Sequence, residues 1–185
     1  MDKVNWNKLS QRAYNNAVKH GLTGKYNCYY DLMMIVTELA EAVNADKKGK
    51  SADRLKFEKS INNQPLSDEH WKSCFEEYIK DSVEDELVDA LIYMMTYSIQ
   101  WNDPIDTYLD NDNFMARVAN LMKKKKHFPI QVFSIVENLN NTGFVDIAAL
   151  RLIGLCNHLQ IDLLWHIEQK MKYNEMRPFK HGKKY

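Results

Sequence analysis

Ile35, Leu39, Ala42 and Val43 form an apolar stripe at helical spacing, which predicts a helix over about Cys28 to Asp46. Another helix runs before it from near Asn5 to His20. Gly21 and Gly24 stop it, because glycine takes the left-handed C-cap conformation without a Cβ penalty. Lys47 to Pro65 is polar, carries Gly49 and Asn62-Asn63-Gln64-Pro65, and reads as an insertion loop near 47–66 with room for one short helix. Ser67, followed by Asp68 and Glu69, has the form of an N-cap with acids at the positive helix end. It opens a long helix to about Trp101, which Asn102-Asp103-Pro104 ends. A shorter helix leads to the run Lys123 to Lys126, another lies near Pro129 to Leu139, and a long one spans about Asp146 to Tyr173.

Six glycines and four prolines in 185 residues, with only Gly49 between Gly24 and Gly143, leave stretches too unbroken for the turn chemistry of a sheet. The expected fold is all-α, one domain over residues 1–185. It is a bundle of about five or six helices with the active site completed between packed helices.

Hydrophobic residues make up 45% and charged residues 27% of the chain, which excludes a disordered or collagen-like protein. The most apolar stretch, Leu91 to Trp101, falls far short of the roughly 20 residues of a bilayer span, and Met1 to Trp6 lacks a charged-then-apolar signal pattern. The expectation is a cytoplasmic protein with no membrane partner. Cys28, Cys74 and Cys156 are too widely spaced for a Cys-x-x-Cys site and read as reduced, buried thiols.

Lys and Arg number 25, as do Asp and Glu, so the formal charge is zero. Its placement is uneven. Lys170 to Tyr185 holds six Lys or Arg and one Glu, which leaves the rest of the chain acidic.

The acidic part contains the most informative pattern: Glu38-x-x-Glu41 on the second helix and Glu86-x-x-Asp89 on the third. Residues three apart on a helix share a face with Cβ atoms about 5–6 Å apart, so two packed helices can bring four carboxylates together. Such a cluster requires protonation or a cation, and oxygen-only ligands select Mg²⁺ or Mn²⁺. Ile35, Leu39 and Ala42 around one pair, and Leu87, Val88, Ala90 and Leu91 around the other, favour an inward orientation. One such pair alone is ordinarily a solvated face. Most of Glu76, Glu77, Asp81, Glu84 and Asp85 read that way, with Glu84 retained as a helper behind the ligands. A di-iron bundle would need Glu-x-x-His pairs, and no histidine stands three residues after a Glu. His158 and His166 read as capping or filling the last helix, with Asp162 as the local partner of His166.

In the basic tail, Lys170, Asn174 and Arg177 fall on one helical face suited to phosphate oxygens. Pro178 ends that helix and Gly182 lets the last residues fold over a ligand. Tyr173, Phe179 and Tyr185 interleave with the charges, which a merely solubilising tail does not require. Trp6, Tyr29, Tyr30 and Trp101 are candidates for base stacking, although aromatics at helical spacing are more often core.

Together these residues resemble the all-α nucleoside triphosphate pyrophosphohydrolases, the superfamily of MazG-like proteins with dimeric dUTPase-like and dCTP pyrophosphatase-like relatives. The resemblance rests on Glu38-x-x-Glu41, on Glu86-x-x-Asp89 with Tyr93 one turn later, and on the Lys170, Asn174, Arg177 face leading into His181-Gly182-Lys183-Lys184-Tyr185. It implies that Glu38, Glu41, Glu86 and Asp89 bind Mg²⁺, with Glu38 or Glu41 as catalytic base. It implies too that Lys170, Asn174, Arg177 and Tyr93 meet a triphosphate, and that the chain forms a homodimer or homotetramer. The activity implied is hydrolysis of a (deoxy)nucleoside triphosphate to the monophosphate and pyrophosphate, a step of nucleotide-pool sanitation. The 44 residues from Ala42 to Asp85 between the acidic pairs exceed the spacing of compact members. Two alternatives remain: a non-catalytic helical interaction module, and a nucleic-acid-binding accessory protein, the latter disfavoured by an acidic body that repels a polyanion.

Overall fold

The computed structural model of the chain describes residues 4–24, 27–63, 67–105, 116–118, 120, 127–142 and 145–179. Among these residues the fold is all-α, as expected, with no strand. The helices are α1 (Trp6–Lys19), α2 (Cys28–Lys47), α3 (Arg54–Asn62), α4 (Asp68–Tyr78), α5 (Val83–Gln100), α6 (Phe128–Thr142), α7 (Val145–His158) and α8 (Leu163–Glu175). Residues 116–118 are helical, whereas Lys123 to Lys126, Gln64-Pro65 and His181 to Tyr185 lie outside the described residues.

The first two helices match the sequence reading closely. Asn5 caps α1 by accepting from the Lys8 N–H at 2.9 Å, and Gly21 ends it at φ 66°. The two long helices read farther along the chain are each broken. Ser67 caps α4 as expected, accepting from His70 N–H, yet the helix stops at Tyr78. Asp81 then adopts φ 57° and Ser82 caps a new helix, accepting from Asp85 N–H at 3.2 Å. Glu84, Asp85 and Glu86 occupy the first turn of α5, where acids suit the helix dipole. The last span breaks likewise: Gln160 sits at φ 60°, Asp162 caps α8, and α7 and α8 diverge by 113°.

α5 is the central helix. Leu87, Val88, Leu91, Met94 and Met95 are fully buried, and α1, α2, α7 and α8 all pack around it. The insertion does contain one short helix, α3, capped by Asp53. It is docked rather than loose, because Asp53 N–H donates to Tyr78 O (2.8 Å) and Val83 N–H to Lys50 O (3.0 Å). Phe57 of α3, Trp71 and Phe75 of α4 and Tyr173 of α8 form a second apolar cluster. All three cysteines are free; Cys74 and Cys156 are buried and Cys28 is half-buried. Among the described residues no single helix is long and apolar enough to cross a membrane.

Candidate active site

α2 and α5 run antiparallel, and one face of each is polar over several turns. On α2 that face carries Asp31, Glu38 and Glu41; on α5 it carries Glu86, Asp89, Tyr93, Thr96 and Gln100. These residues recur at helical spacing, opposite the apolar stripe that faces the core. With α1 and α8 they enclose a cavity of about 310 Å³, which Asn174 and Arg177 also line. Every residue the sequence singled out for metal or phosphate lies on this one cavity.

The four acids do not converge as a single group. Carboxylate oxygens of Glu38, Glu41 and Glu86 lie within 4.8 Å of one another, with Glu38 and Glu86 buried and Glu41 exposed at the mouth. Glu41 and Glu86 enter no ion pair among the described residues. Burial, followed by the nearby Asp89 and Asp85 charges, pushes the Glu86 carboxyl far above the ordinary carboxylate range. A hard divalent cation fits this donor set, since it would offset the crowding that otherwise holds a proton on Glu86.

Asp89 turns instead to Lys170, whose Nζ lies 2.6 Å from its Oδ2. The expected phosphate-holding role of Lys170 is accordingly not what its surroundings provide. Lys170 is only 3% exposed, and its ammonium also meets both oxygens of Asp85 at 2.9 and 2.8 Å. Asp85, placed on the surface by its sequence context, is 2% exposed. Glu76, Glu77 and Asp81 are exposed as read, and half-buried Glu84 accepts from Ala52 N–H at 2.8 Å, tying the insertion to α5. A second acidic group, Asp81, Asp85 and Glu86, holds protein cations: Lys50 and Lys80 at Asp81, and Lys170 at Asp85.

Asn174 lies one turn beyond Lys170 on α8, and Arg177 just past the C-cap at Met176. Asn174 is 6% exposed and its Oδ1 has no partner among the described residues, an unsatisfied buried group that a ligand in the cavity would satisfy. Arg177 is half-buried with its guanidinium 5.7 Å from the Tyr173 ring centroid. Burial, reinforced by the Glu38 charge, raises the Tyr93 phenol well above its usual pKa, so it faces the cavity protonated.

Trp6, Tyr29, Tyr30 and Trp101 do not line the cavity. Trp6 is in the core, Tyr29 is 75% exposed, and Trp101 Nε1 donates to Asp31 Oδ2 at 2.8 Å. The expected Asp162–His166 side-chain pairing does not form: Asp162 caps α8 and pairs with Arg54 Nη1 at 2.8 Å, while buried His166 Nδ1 lacks a hydrogen-bond partner among the described residues. His158 is exposed, in the last turn of α7.

Sequence reasoning passed over Asp85, Asp31 and Gln100. The Asp85-x-x-x-Asp89 spacing, matched to a lysine in the last helix, was the available signal for Asp85. Nothing local marks Asp31, whose environment comes from the far end of α5. Comparison of the chain with protein-family models, curated proteins and solved structures finds no match. What the protein does is therefore read from the cavity.

Proposed function

We propose that the protein is a Mg²⁺-dependent nucleoside triphosphate pyrophosphohydrolase of the MazG-like kind that its motifs resemble. It converts a (deoxy)nucleoside triphosphate and water to the monophosphate and pyrophosphate. The observation that carries this reading is that the Glu38, Glu41, Glu86 carboxylates share one cavity with Asn174 and Arg177. Carboxylates alone would repel a triphosphate; a guanidinium lining the same cavity suits an anion whose charge is shared with a cation.

Glu38, Glu41 and Glu86 would hold the ion, with Mn²⁺ as a substitute, and when bound it supplies neutralisation of charge on the phosphate oxygens. Arg177 binds the far phosphates through its fork of N–H donors, and the Tyr93 hydroxyl donates to a phosphate oxygen. Glu41, the most solvent-accessible of the three acids, takes the proton from the attacking water. The water oxygen forms the new P–O bond, the bridging bond between the α and β phosphorus breaks, and pyrophosphate departs. Lys170 does not touch substrate; it anchors the end of α8 that carries Asn174 and Arg177.

A panel of canonical and modified nucleoside triphosphates, each with and without Mg²⁺, tests the reading by release of pyrophosphate. Turnover of at least one nucleotide that chelation abolishes is the expected result. Absence of turnover across the panel removes the proposal. The same reading includes a homodimer or homotetramer, to be checked by light scattering at working concentration.

A further inference from the structure

The cavity extends beyond its acidic pole to Asp31, seven residues before Glu38 on the same face of α2 and so about 10 Å away along the axis. Asp31 Oδ2 accepts two hydrogen bonds, from Gln100 Nε2 at 2.9 Å and from Trp101 Nε1 at 2.8 Å. An indole nitrogen only donates, so an oxygen must occupy this position. Asp31 Oδ1 has no partner among the described residues, which leaves a half-buried acceptor at the end of the cavity remote from Glu41. Burial also lifts the Asp31 carboxyl above its ordinary pKa, against the Trp101 hydrogen bond, as expected for an oxygen short of donors.

This placement deepens the hydrolase reading and rests on it. With phosphates at the acidic pole, the nucleoside spans the distance to Asp31, and the part of its base farthest from the sugar arrives there. In pyrimidines that is the substituent at C4; in purines it is the substituent at C6. We propose that Asp31 is a specificity-determining residue whose Oδ1 accepts a hydrogen bond from the exocyclic amino group of the base. Amino-bearing nucleotides are then favoured over their keto counterparts. A keto oxygen at the same point would set two acceptors against each other without a proton between them.

The test uses two matched pairs, dCTP against dUTP and dATP against dITP, with saturating Mg²⁺. The wild-type protein should favour the amino member of at least one pair by about tenfold or more in kcat/KM. In Asp31→Asn the amide oxygen is held by Gln100 and Trp101, so the NH₂ group turns into the cavity and the acceptor becomes a donor. The preference within that pair should reverse. A wild-type preference for the keto members, or an unchanged ratio in a folded, active Asp31→Asn protein, overturns the assignment while leaving the hydrolase reading in place. A wild-type protein that cleaves no nucleotide overturns both. Because the wild-type comparison alone decides the sign, the test stands even if the variant does not fold.

Discussion

Lys170 Nζ lies 2.9 and 2.8 Å from the two carboxylate oxygens of Asp85, with both side chains almost wholly out of solvent. Burial opposes the ammonium charge, but Asp85 and Asp89 outweigh it and hold the Lys170 pKa above the ordinary lysine value. This triad joins α8 to the first turns of α5, beneath the cavity. Lys170→Met would leave two buried acids without their cation, so unfolding free energy should fall by about 3–5 kcal/mol. Urea denaturation measures it, and adding Asp85→Asn to Lys170→Met should restore part of the loss. A single variant as stable as wild type would show that the triad does not hold α8 in place.

Asp162 interrupts what reads in sequence as one helix. Its side chain accepts from Trp165 N–H at 3.3 Å, while its pairing with Arg54 is exposed and adds little. Asp162→Ala should cost about 1 kcal/mol through the lost cap, and Asp162→Ser should recover most of it. Equal stability of the Ala variant would shift the origin of the break to Gln160 and its left-handed backbone.

His166 provides a pH signature. Burial lowers its pKa below the ordinary histidine value, with Glu84 and Asp85 opposing the shift. The unfolded chain therefore takes up a proton near pH 6.5 that the folded protein refuses until lower pH. The contribution is intact above about pH 6.5 and declines as pH falls from there toward the folded value. Denaturant titrations between about pH 6.5 and 5 should show this loss in wild type and a shallower slope in His166→Gln. Parallel slopes would contradict it.

The acidic pole predicts opposed effects on stability. Without divalent cations Glu86→Gln replaces a carboxyl that must take up a proton to be buried there, and should raise Tm, whereas Mg²⁺ should raise Tm in wild type and much less in this variant. If Mg²⁺ stabilises both proteins equally, the ion is bound elsewhere.

Much of the architecture was legible because glycine spacing and apolar periodicity act locally. The cap at Ser67 fell where the residue types indicated, and the first helix begins beside Asn5 as expected. The breaks at Asp81 and Gln160 were missed since neither carries glycine or proline, and each depends on a non-glycine residue taking positive φ before a capping Ser or Asp. The cavity residues were legible for a similar reason, as Glu38, Glu41, Glu86 and Asp89 repeat at three-residue spacing. Their division was not: Asp89 leaves the group because Lys170, eighty-one positions later in the chain, reaches it through the fold. The partnership of Asp31 with Gln100 likewise exists only once α2 and α5 are antiparallel.

Pyrophosphate release from the best nucleotide of the panel, compared between wild type and Glu86→Gln with helical content checked by circular dichroism, bears most directly on the central claim. Mg²⁺-dependent turnover in wild type and a loss of about 100-fold or more in the folded variant is the predicted result. Undiminished Mg²⁺-dependent turnover by Glu86→Gln would contradict it.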